Sequence, residues 1–234
     1  MQASSRPLVV ASVNNPEDLP SLERIELSEH CDVLEFRLDG LQETSTSASY
    51  IENCTVPTLI TARCPNEGAF SDLKPDQRFE MIRIALGYAN YVDLECETIA
   101  NHGDHPALSD ILKEINGSDT QLVASYHDFI GVPSESFLAA KLEIAKQQSA
   151  IFKLACTVET LADLTAFTRI LSQLVESSHP FSAMGMGRFG MATRLTAASA
   201  GSVLNYGYLH SASVAGQWPA MSLKQALTRL PSQA

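Results

Sequence analysis

The sequence predicts a single (β/α)₈ barrel occupying residues 1–234. Three observations point there. Eight short apolar runs punctuate the chain. They alternate with amphipathic stretches of helical period. Their spacing averages about 29 residues, close to the ~30 residues of a βαβ unit.

The runs lie at 7–13, 32–38, 56–62, 91–96, 121–126, 150–156, 181–186 and 203–208. Each is partly β-branched or aromatic and apolar almost throughout, as strands covered on both faces of a parallel sheet are. A doubly wound open sheet would give a similar pattern, but eight strands is the barrel's number. Between the runs, Pro75 suits the first turn of a helix over 75–89, with Phe79, Ile82, Leu86 and Ala89 as its apolar stripe. Ser134 is a suitable N-cap for 134–148, where Phe137, Leu138, Leu142 and Ala145 face one way. The stretch 157–178 places Leu161, Leu164, Phe167, Leu171, Leu174 and Val175 at helical spacing, and 221–230 closes the chain as a short helix. No linker or low-complexity segment divides the chain, so one domain is expected.

Composition narrows the function classes. Hydrophobic residues make up 45% and charged residues 18%, enough apolar material for a sizeable core. No apolar run approaches the ~20 residues of a membrane span, and residues 1–7 do not read as a signal peptide. The five cysteines, Cys31, Cys54, Cys64, Cys96 and Cys156, are odd in number and form no C-x-x-C pair, which suits reduced thiols in the cytoplasm. A net charge of −11 argues against nucleic acid as a partner. The charge is uneven, however. Residues 177–234 contain Arg188, Arg194, Lys224 and Arg229 and no acid, so the last quarter of the chain is a plausible place to bind an anion.

Lys153 is the most informative residue. It interrupts the apolar run Ile151-Phe152-Lys153-Leu154-Ala155-Cys156. Burial penalises an ammonium and lowers its pKa, leaving an amine able to attack a carbonyl. A lysine here could equally snorkel from the strand end or pair with a buried acid. His127 ends the fifth run, where a barrel strand presents acid–base groups, although a structural histidine would fit the same position. Glu35 and Arg37 are two apart on a strand and share a face. Two charges entering a barrel interior together must be paired or bind a polar ligand. Arg63 follows the third run and Arg194 the seventh. Three arginines near strand ends suit recognition of a carboxylate and hydroxyls, though each alone could be a surface residue.

Two motifs read against their usual meaning. Gly185-Met186-Gly187-Arg188-Phe189-Gly190 is a literal G-x-G-x-x-G after a strand. A dinucleotide site should carry an acid about 20 residues on, and no acid follows Glu176. His102 and His105 lack a third ligand, so they read as a solvated turn, and no metal site is expected.

Taken together these residues resemble the type I 3-dehydroquinate dehydratases of the shikimate pathway. The likeness runs through nearly the whole chain in order: Glu35-Phe36-Arg37-Leu38-Asp39, Thr61-Ala62-Arg63 with Glu67, Ser125-Tyr126-His127-Asp128-Phe129, Phe152-Lys153, Met184 through Gly190 to Arg194, Gly201-Ser202, and Ser213 to Gln217. The resemblance implies that Lys153 forms a Schiff base with the C3 ketone of 3-dehydroquinate. It implies that His127 is the general acid/base, with Glu67 orienting it. Arg194 would hold the substrate carboxylate beneath Ser213 and Gln217. Glu35, Arg37 and Arg63 would bind the ring hydroxyls, Ser12 would add a binding position, and Met184 would pack beside the imine. A protonated imine is its own electron sink, so neither a metal nor an organic cofactor is implied. The resemblance also admits a homodimer, since members are often dimeric. Another imine-forming barrel, such as a class I aldolase, would keep the lysine without this set of partners. A nucleotide- or sugar-phosphate-binding protein built on 185–190 is the non-enzymatic alternative.

The sequence departs from the family at the loop Ser213-Val214-Ala215-Gly216-Gln217, where Ala215 replaces the usual proline and should loosen the loop. Tyr206 stands where phenylalanine is common. Members in some organisms are fused to shikimate dehydrogenase; no such partner domain is expected before Ala234.

Overall fold

Each apolar run supplies one strand. In the computed structural model, which describes residues 6–41 and 44–230, these are β1 (Leu8–Val13), β2 (Val33–Arg37), β3 (Thr58–Thr61), β4 (Tyr91–Glu95), β5 (Gln121–Asp128), β6 (Ile151–Thr157), β7 (Phe181–Met186) and β8 (Leu204–Tyr208). A ninth strand, β9 (Trp218–Pro219), is too short to give a sequence signal. All pairings are parallel. β1 to β7 follow one another, β8 lies beside β1, and β9 adds to β8. The curled sheet closes between β7 and β8 without a regular ladder: Val203 N–H donates to Phe181 O at 2.8 Å, and Ser182 Oγ to Leu204 O at 2.5 Å.

Strand alternation sorts side chains into two cores. Outward residues such as Leu34, Phe36, Ile60, Leu94, Phe152 and Leu154 pack under the helices. Inward residues Val10, Val33, Leu59, Val123, Ile151 and Leu204 fill the lower barrel with an apolar plug. Above it, at the carboxyl ends of the strands, the inward residues turn polar. Register places Ser12 beside Glu35, Thr61 beside Asp93, and Ser125 beside Lys153.

Helix boundaries follow their caps. Pro75–Ala85 begins on Pro75, as the sequence predicts, and Phe79, Ile82, Leu86 and Ala89 are all buried. Glu135–Gln147 starts after Ser134, whose Oγ accepts from Phe137 N–H at 3.3 Å. Phe137 itself, expected on the buried face, is partly exposed and lies against Tyr126, ring centroids 5.0 Å apart. The stretch 157–178 is helical only over Leu161–Glu176. Thr160 and Asp163 cap each other reciprocally and fix that start. Leu161 and Val175 fall off the buried stripe and face outward. The last helix is Ala220–Leu227. In the 102–105 turn Gly103 and Asp104 are exposed, as expected of a solvated turn, while the two imidazoles are half-buried: His105 Nε2 lies 2.8 Å from Asp76, and both rings lie edge-on to Phe79.

Candidate active site

At the carboxyl mouth of the barrel lies a cavity of about 230 Å³. Ser12, Glu35, Arg37, Arg63, Glu67, His127, Lys153, Met184, Arg194, Ser213 and Gln217 all line it, together with Phe70, Phe129, Ala155, Met186 and Tyr206. The residues singled out in the sequence therefore converge on one space, carried there by seven strands and the loops that follow them.

Lys153 projects from the middle of β6 and is 3% exposed. Its Nζ donates to Asp93 Oδ2 at 2.7 Å and stands 4.1 Å from the centroid of the Tyr206 ring. Burial lowers its pKa, while Asp93 and Glu35 act in the opposite direction. Burial would raise Asp93, but Arg63 and Lys153 reverse that and hold the carboxyl well below the usual range.

His127 extends from the end of β5. Its backbone N–H and its Nδ1 both meet Glu67 Oε2, at 2.9 and 3.0 Å. Nε2 is therefore the nitrogen left for the cavity. Burial, with Arg63 and Lys153 nearby, holds His127 well below the ordinary histidine range, so the imidazole is neutral and able to accept a proton. Glu67, in the one-turn helix Pro65–Glu67, is pushed up to about 8, mainly by burial and against the pull of Arg63. Between the unfolded chain's 4.5 and about 8, the fold keeps a proton that the unfolded chain has released, so stability falls as pH rises through that window. His127 contributes with the opposite sign, and only below 6.5. From pH 6.5 to 8 the wild-type melting temperature should therefore fall relative to that of Glu67→Gln, a difference that isolates Glu67 from Lys153, whose lowered pKa acts with the opposite sign.

The arginines are not equivalent. Arg37 makes two hydrogen bonds to Asp39, at 3.1 and 3.0 Å, and a third to Gly68 O. Glu35, its neighbour on the same face, instead accepts from Ser12 and Thr61. Arg63 is fully enclosed, with Nη1 at 2.9 Å from Asp93, 3.3 Å from Glu95 and 2.6 Å from Ser125 Oγ. Arg78 pairs with the other oxygen of Glu95. Arg194, on the helix Gly190–Ser199, differs from these. Nη1 donates to Tyr206 O at 2.8 Å, but Nε has no protein partner, and no carboxylate among the described residues pairs with it. Burial lowers its pKa to about 10. A buried guanidinium left without an acid is costly unless an anion completes it.

Sequence reasoning gave no role to Asp39, Asp93 and Glu95, which hold Arg37, Lys153 and Arg63, or to Arg78, which pairs with Glu95 in turn. The signal was present. Asp93 and Glu95 alternate within the apolar run 91–96, as Glu35 and Arg37 do in theirs, and so face the barrel interior. No group of three or more His, Cys, Asp or Glu among the described residues could hold a metal ion. All five cysteines are free thiols.

A barrel with a buried amine, a neutral imidazole and an uncompensated guanidinium around one strand-end cavity has the makings of an imine-forming enzyme. The family model for Type I 3-dehydroquinase matches residues 8–233, and the chain belongs to that family. A 3-dehydroquinate dehydratase of Methanocella arvoryzae is 32% identical over 218 residues, covering 90% of this chain and 91% of its own. One from Methanothermobacter thermautotrophicus is 31% identical over 188 residues, covering 80% and 79%. Among solved structures, the 3-dehydroquinate dehydratase of Geobacillus kaustophilus superposes with a TM-score of 0.81 at 22% identity, covering 95% of this chain and 90% of that one. No helix among the described residues is long and apolar enough to cross a membrane.

Proposed function

We propose that the chain dehydrates 3-dehydroquinate to 3-dehydroshikimate through an imine on Lys153. The observation that carries this is the convergence of Lys153, His127 and the acid-free Arg194 on a single cavity. Family membership supports the choice of substrate.

In this reading the substrate carboxylate pairs with Arg194 below Ser213 and Gln217. Glu35, Arg37, Arg63 and Ser12 surround the ring hydroxyls, and Met184 lies against the imine. Lys153, whose pKa burial lowers, attacks the C3 ketone through its unprotonated amine. The carbinolamine loses water to give a protonated imine. His127 Nε2 takes a proton from C2, and the electron pair left on carbon delocalises into the iminium as an enamine. The enamine expels the C1 hydroxyl, which leaves as water with the proton returned by His127. Hydrolysis of the conjugated imine frees product and restores the amine. The net change is loss of one water. Glu67 holds Nδ1 and so keeps Nε2 aimed at the substrate. Asp93 and Arg63 stay fixed as charges arrayed around the iminium, which is electrostatic preorganisation. The free thiols suit a cytoplasmic enzyme.

Borohydride reduction during turnover tests this directly. The peptide containing Lys153 should gain the mass of the reduced substrate. Absence of an adduct, or an adduct on Lys141 or Lys146, would overturn the assignment.

A further inference from the structure

The Gly185–Gly190 segment plays no part in the chemistry above. It has the spelling of a phosphate-binding turn, yet a carboxylate already occupies the place: Glu159 accepts from Arg188 N–H at 3.2 Å, and a methyl on Gly187 would collide with it.

The other side of this turn meets the 213–217 loop. Gly187 N–H donates to Ala215 O at 2.9 Å. A methyl on Gly190 would stand 2.7 Å from Gly216 O and 3.0 Å from Gly216 C and Cα. All three of its nearest neighbours thus belong to one residue of the loop. Gly187 and Gly216 take φ of 77° and 74°, a region side chains disfavour, and each backbone fits closely against the other. The loop is pinned at both ends as well. Asn14 Nδ2 donates to Ser213 Oγ at 2.9 Å, and the Trp218 indole N–H to Met191 O at 3.0 Å. Within the loop, Ser213 N–H donates to Gln217 Oε1 at 3.0 Å.

We infer that the Gly187–Gly190 turn is the seat of the 213–217 loop, and that Gly190 and Gly216 are positioning residues that set Ser213 and Gln217 over the cavity. The seat stands on geometry alone; its effect on substrate rests on the proposed function. Two backbones in this contact leave no room for a side chain on either, which is a reason for glycine here that owes nothing to nucleotides. The seat also offers a way to hold a loop that lacks a stiffening proline.

Gly190→Ala tests the idea. Alanine is the better helix former, so the helix Gly190–Ser199 is not weakened, while the loop must lift. Trp218 is the only tryptophan in the chain, so its emission in the ligand-free protein reports on the seat. The variant should show red-shifted emission. KM for 3-dehydroquinate should rise about tenfold, with kcat and borohydride adduct at saturating substrate within about twofold of wild type. Gly131→Ala, where a methyl meets nothing within 4 Å, should change neither. Wild-type emission in Gly190→Ala would overturn the seat. Shifted emission with unchanged KM would overturn the positioning role. Should Gly190→Ala not fold, Asn14→Ala removes the Ser213 bond without adding an atom. It should raise KM in the same way, and an unchanged KM would again overturn the role. If the wild-type protein fails to turn over 3-dehydroquinate, the proposed function falls while the emission test still decides the seat.

Discussion

Lys153→Met should bring turnover down by at least about 10⁴-fold, because the covalent route disappears with the amine. Methionine is one heavy atom shorter than lysine but keeps most of its packing. The loss of one charge is cushioned, since Asp93 retains Arg63 at 2.9 Å and Ser125 at 2.6 Å. Destabilisation should therefore stay below the ~3–5 kcal/mol seen when a buried ion pair loses its only partner. A steady-state assay for the enone carboxylate, together with a thermal melt, separates the two effects. Turnover within a hundredfold of wild type in a folded variant would mean that the imine is not on the path.

His127→Ala is expected to slow dehydration by about 10²–10⁴-fold, the range for a positioned general acid/base. Imine formation should persist in part, because Lys153 is made nucleophilic by its own burial and not by His127. Borohydride should thus still label Lys153 while product formation is nearly lost. Near-normal turnover would make His127 a structural residue, anchored to Glu67 for the fold alone.

The eight barrel strands were legible because strands covered on both faces become apolar runs, and such runs need no long-range information to recognise. Helix faces were less legible at their ends. Leu161 and Val175 lie within the helical pattern yet point away from the buried stripe of Phe167, Leu171 and Leu174. The site was legible where a charge interrupts an apolar strand, as with Lys153, Glu35 and Arg37. The same signal marked Asp93 and Glu95, but an acid in a strand suggests no chemistry until its cation is seen beside it. Which arginine lacks an acid was only hinted at, by the place of Arg194 in the acid-free stretch 177–234. Arg63 and Arg194 look alike in sequence, and only their surroundings distinguish them. The seat of the 213–217 loop was hidden, because it joins Gly187 and Gly190 to Gly216, distant in sequence, through backbone atoms that carry no sequence signature.

The apolar plug of Val10, Val33, Leu59, Val123, Ile151 and Leu204 makes the cavity a dead end. In the proposed reaction, imine formation sheds one water, elimination sheds another, and product release takes one back. All of that traffic uses the same doorway as the substrate, past Ser213 and Gln217. A water shed beneath a seated loop is already beside the carbon that must later be rehydrated. The barrel floor thus makes the site a vessel with one opening, in which the solvent needed for the last step can be the solvent made in the first.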